Sequence, residues 1–93
     1  MKNLLTFKYT IFGCVQKVGF RSYVKKKALY LQIKGSVKNN KDGSVTVIAQ
    51  GLKPFLDQLE SFLIRGPLHA QVKTLEKMAL DDCFIYEQFD IIL

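Results

Sequence analysis

An α+β sandwich, with two helices on one face of an antiparallel sheet, is the fold class this sequence predicts. Three observations carry that reading. Apolar residues alternate with period two in five short runs, and they switch to helical spacing in two stretches between those runs. Glycine or proline stands at most of the changeovers. The 93 residues form one domain, 1–93, and a chain of this size buries roughly 60–65% of its unfolded surface.

The first run, Leu5 to Phe12, places Leu5, Phe7, Tyr9 and Ile11 on one face, with Lys8 and Thr10 on the other. Gly13 is expected to end it. From Arg21 to Gln32 the period becomes helical, with Phe20, Val24, Ala28 and Leu31 on the apolar side. Lys25, Lys26 and Lys27 lie around the polar side, as a solvated helix surface would. Ile33 to Lys38 alternates again, and Asn39-Asn40-Lys41-Asp42-Gly43 is a dense turn signal. Ser44 to Ala49 returns as a strand, so the two runs predict a hairpin. Pro54 fits the first turn of a second helix whose stripe is Phe55, Leu56, Leu59, Phe62 and Leu63. Gly66-Pro67 stops that helix. Gln71 to Lys77 and Cys83 to Ile92 supply the last two strands. The resulting order, β-α-β-β-α-β with one short extra strand, is that of the split βαβ, ferredoxin-like sandwich.

Composition narrows the chemistry. Hydrophobic residues make up 48% and charged residues 24%, which is ordinary globular usage. No apolar run approaches the ~20 residues of a membrane span, and the Met1–Leu5 segment carries no secretory signal. Two cysteines, Cys14 and Cys83, and one histidine, His69, offer neither a disulfide framework nor a metal site. Free thiols in a reducing cytoplasm, and no cofactor, are expected. The net charge of +6 favours an anionic partner. RNA-recognition domains share the element order, but they stack bases on central-strand aromatics, and Ser44 to Ala49 has none. Nucleic acid is therefore disfavoured as the partner, and a monomer is expected.

The stretch that carries chemistry is Gly13-Cys14-Val15-Gln16-Lys17-Val18-Gly19-Phe20-Arg21, between the first strand and the first helix. Its glycines allow tight curvature, so successive N–H groups can converge on one concavity. The helix that follows adds unpaired amides and the positive end of its dipole. Arg21 stands at the electrostatically unfavourable end of that helix, at a cost of roughly 0.3–1 kcal/mol. That cost vanishes if a dianion sits between the guanidinium and the amides, and arginine suits phosphate by its bidentate fork.

This string resembles the acylphosphatase signature G-x-V-Q-G-V-x-F-R at every defined position but one. Gly35-Ser36-Val37-Lys38-Asn39 followed by Asp42-Gly43 is similar to that family's G-W-V-x-N…D-G segment. Ala28, Leu31, Gly66-Pro67, Ala70 and Val72 also match family positions, so the resemblance runs from Leu5 to Ile92. It implies metal-free hydrolysis of an acyl phosphate to a carboxylate and inorganic phosphate. Arg21 and the amides of Cys14, Val15, Gln16, Lys17, Val18 and Gly19 would bind the phosphate, and Asn39 would orient the attacking water. The leaving group is a carboxylate with a pKa near ~4, which departs without a general acid.

The chain departs from the family pattern at Lys17, where the pattern has glycine, at Ser36 in place of tryptophan, and at Gln32 in place of glycine. If position 17 needs a positive φ, a β-carbon there costs roughly 1–2 kcal/mol. The expected consequence is weakened or altered activity. The competing expectation is a phosphate-binding module of the same fold without catalysis.

Overall fold

The computed structural model describes residues 4–81 and 84–93. In chain order the elements are β1 (Leu4–Cys14), α1 (Phe20–Tyr30), β2 (Lys34–Asn39), β3 (Val45–Leu52), α2 (Lys53–Arg65), β4 (Gln71–Ala79) and β5 (Phe89–Ile92). The five strands form one sheet in the order β4-β1-β3-β2-β5. Three of the pairings are antiparallel, as expected, and β5 joins the edge of β2 in parallel.

Both helices cover one face of the sheet. Phe20, Val24 and Ala28 of α1 and Leu56, Leu59 and Leu63 of α2 are buried. Against them lie Tyr9, Ile11, Val37, Val45, Val47, Ala49 and Phe89, the alternating residues of the sheet's inner face, with Ile33 buried just before β2. At the helix pair, the Tyr23 hydroxyl donates to the Phe62 carbonyl over 2.9 Å. The Lys27 ammonium also stands 4.5 Å from the Phe62 ring centre. Outer strand β4 is mostly exposed and carries Lys73, Glu76 and Lys77, charges that discourage edge-to-edge pairing.

Several boundaries differ from the sequence reading, each for a local reason. β1 does not stop at Gly13 but runs on to Cys14 through a bulge between Phe12 and Gly13. Glycine is required in that bulge because a β-carbon on Gly13 would lie 2.1 Å from the Gln71 carbonyl oxygen. Leu5 continues the alternation yet is exposed, since it pairs near the end of β3 beyond the shelter of the helices. Helix α1 starts at Phe20 and ends at Tyr30, and Gln32 turns the chain with φ 57.

The strand expected over Cys83 to Ile92 is only Phe89–Ile92, and Cys83 lies outside the described residues. Strands β4 and β5 occupy opposite edges, so the connection must span the sheet. Gln50 anchors it: its Nε2 donates to Thr6 Oγ1 (2.9 Å) and the Phe84 carbonyl (2.8 Å), and its Oε1 accepts from the Tyr86 amide (3.0 Å). A buried glutamine with its polar atoms satisfied thus ties the crossing chain to the face opposite the helices.

Candidate active site

β1 and β2 both pair antiparallel to β3, so they run parallel to each other. The loop after β1 and the last residue of β2 therefore emerge at the same end of the sheet. This places Arg21 and Asn39, 18 positions apart in the chain, on the wall of one small cavity. Its volume is about 110 Å³, and Val15, Lys17, Gly19, Phe20, Arg21, Ser22 and Asn39 line it.

Backbone conformation makes the concavity. Lys17 has φ 63 and Gly19 has φ 76, ψ 21, so the loop passes through the left-handed region twice within three residues. Gly19 is the N-cap of α1, and a β-carbon there would meet nothing within 4 Å. The need for glycine at that position is conformational, since no neighbour stands in the way. Lys17 adopts the same region with a full side chain, at a cost of roughly 1–2 kcal/mol.

The end of α1 that faces the cavity is electropositive. Its N-cap makes no side-chain hydrogen bond, and its first turn contains no acidic residue. The first amides of a helix lack intrahelical partners, so they are free to point at an anion. Arg21 adds its guanidinium at the rim, where Nη1 makes a long 3.4 Å hydrogen bond to the Ile92 carbonyl. That carbonyl is within reach because β5, parallel to β2, ends at the same edge. Opposite stands Asn39, whose side-chain oxygen Oδ1 is buried and has no hydrogen-bond partner among the described residues. An unpaired buried carbonyl costs about 1–3 kcal/mol, so a bound water or substrate atom would relieve it.

The side chains of the other expected loop residues divide between the surface, the core and the neighbouring turn. Cys14 is exposed at the end of β1, and its thiol is free. Val15 is buried in the core, and Val18 packs partly buried against it. Gln16 turns its side chain away from the cavity: Nε2 donates to the carbonyls of Asn40 (2.7 Å) and Ser44 (2.9 Å) in the β2–β3 turn. The same turn is closed by Asn40 Nδ2 donating to Ser44 Oγ and Thr46 Oγ1, and by the Asp42 carboxylate accepting from the Ser44 amide and hydroxyl. These bonds from Ser44 hold the Asp42 carboxyl below its ordinary value of 3.8. Gln16 thus joins the loop to the turn that carries Asn39, and that clamp was not evident from the sequence. Ser22 was also missed. Its place in the first turn after Arg21 was the available signal.

Comparison with known proteins gives a consistent result. The acylphosphatase family model matches residues 7–91. An acylphosphatase of Pasteurella multocida is 35% identical over 88 residues, covering 95% of this chain and 98% of that protein. Among solved structures, an acylphosphatase from Coxiella burnetii superposes with a TM-score of 0.92 at 34% identity, covering 98% of this chain and 95% of that one. The acylphosphatase of Bacillus subtilis gives the same score at 27% identity, covering 96% and 99%.

Proposed function

Because the chain belongs to the acylphosphatase family, we propose that it hydrolyses acyl phosphates to a carboxylate and inorganic phosphate, using Arg21 and Asn39 as its two working side chains. In this reading the phosphoryl group enters the cavity beside the N-terminus of α1. The amides of the 14–19 loop and the Arg21 guanidinium hold its oxygens, where charge must be stabilised in the transition state. Asn39 Oδ1 accepts a hydrogen bond from the attacking water and aligns it with phosphorus, opposite the departing carboxylate. The water loses its proton to solvent or to the phosphoryl oxygens. The carboxylate leaves unprotonated because its conjugate acid has a pKa near ~4.

The observation that carries this reading is that Arg21 and Asn39 line one cavity, with Asn39 carrying a buried Oδ1 that has no partner among the described residues. The exposed free thiol of Cys14 suits a reducing cytoplasm. Hydrolysis of benzoyl phosphate by the purified protein tests the activity. Turnover is expected with or without a chelator, with inorganic phosphate as a competitive inhibitor. Phosphate binding without turnover would instead select the non-catalytic module. A rate that collapses with chelator and returns with magnesium would refute the metal-free mechanism.

A further inference from the structure

We propose that Lys17 makes the site selective for acyl phosphates whose acyl group carries a second anionic group, such as the mono-anhydride of a dicarboxylic acid with phosphate. The inference rests on the hydrolase reading of the site. A cavity of about 110 Å³ is of phosphoryl dimensions, so the acyl portion of a bound substrate projects from the mouth. Lys17 lines that cavity and is itself exposed, and its flexible four-carbon stem gives the ammonium reach over the mouth through which the acyl group projects. The two ion pairs among the described residues, Lys53–Asp57 and Lys77–Glu60, do not involve it. Among the described residues, no carboxylate lines the cavity to compete for it.

The backbone gives an independent reason to look for a role. Lys17 holds φ 63, a conformation that glycine adopts freely and a lysine does not. Strained backbone of this kind gathers at ligand-binding sites. Arg21 already supplies a cation for the phosphoryl group, so the second cation at the rim is available to the rest of the substrate. Its contact with a distal carboxylate is the same before and during phosphoryl transfer, because that carboxylate takes no part in the bond changes. Such uniform binding lowers KM and leaves kcat unchanged.

The test compares succinyl phosphate with butyryl phosphate, two four-carbon acyl phosphates that differ in the distal carboxylate, with the enzyme-free rate subtracted. For the wild-type protein, KM for succinyl phosphate is expected to be about three- to fivefold the lower, the value of an exposed ion pair, with similar kcat. The preference should shrink as salt is raised. Lys17→Arg should keep it. Lys17→Gln should lose it, and so should Lys17→Asn, whose residue tolerates the left-handed region better. Equal KM values in the wild type, or an unchanged ratio in both neutral variants, would overturn the selectivity and leave the hydrolase reading standing. If neither compound is hydrolysed, the hydrolase reading fails and this inference fails with it.

Discussion

In the proposed mechanism Arg21 holds charge and Asn39 holds water, so their removal should separate kinetically. Arg21→Ala is expected to lower kcat/KM by on the order of 10³-fold and to weaken inhibition by phosphate. Asn39→Ala should lower kcat by about 10²-fold while phosphate inhibits nearly as before. Equal loss of phosphate affinity in both variants would deny Asn39 its assigned role. Lys17 makes a separate prediction about stability. Glycine would relieve the left-handed strain of about 1–2 kcal/mol but give back part of it through a freer unfolded chain, about 0.4–1 kcal/mol. Lys17→Gly is therefore expected to be more stable by about 0.5–1 kcal/mol in urea denaturation, and a less stable variant would reject the strain. The positive φ at position 17 was legible only through the glycine of the family pattern, since lysine itself gives no such signal. The part played by Gln16 was not legible, because its acceptors lie 24 and 28 positions away in the chain.

Among the elements, the two helices and the β2–β3 hairpin were readable because their signals are local: apolar spacing, Pro54, Gly66 and the Asn-Asn-Lys-Asp-Gly turn. The last strand was not. Phe84 and Tyr86 alternate as a strand would, but out of phase with Phe89 and Ile91; only 89–92 pairs with β2, while residues 84–86 cross the sheet on the bonds of Gln50. Periodicity reports which side a residue faces and is silent on whether a neighbouring strand exists. The crossing depends on Gln50, so Gln50→Leu is expected to cost about 2–3 kcal/mol by leaving the Phe84 carbonyl, the Tyr86 amide and the Thr6 hydroxyl unpaired. Chemical denaturation would measure it, and a loss below about 0.5 kcal/mol would show that water takes over those bonds.

At the scale of the whole molecule, the seal between α2 and the sheet makes stability sensitive to alkali. Tyr9 lies fully buried beneath α2. Burial, and after it the Glu60 and Asp57 carboxylates, push its hydroxyl above the ordinary value of 10.0. A group whose folded value is raised lends stability that is complete below its unfolded value and is lost as pH climbs past it. The wild type should therefore lose more stability above pH 10.0 than Tyr9→Phe does, measured as urea midpoints, and parallel losses would refute the linkage. The strand order has a consequence for how the chain assembles. β1 pairs with β3 and β4 alone, and both are synthesised after it. During synthesis β1 thus waits, apolar and unzipped, until its later partners arrive. Pairing between such distant segments makes folding comparatively slow. Chaperone capture or precipitation is most threatening in that interval, before β3 is available to close either neighbour.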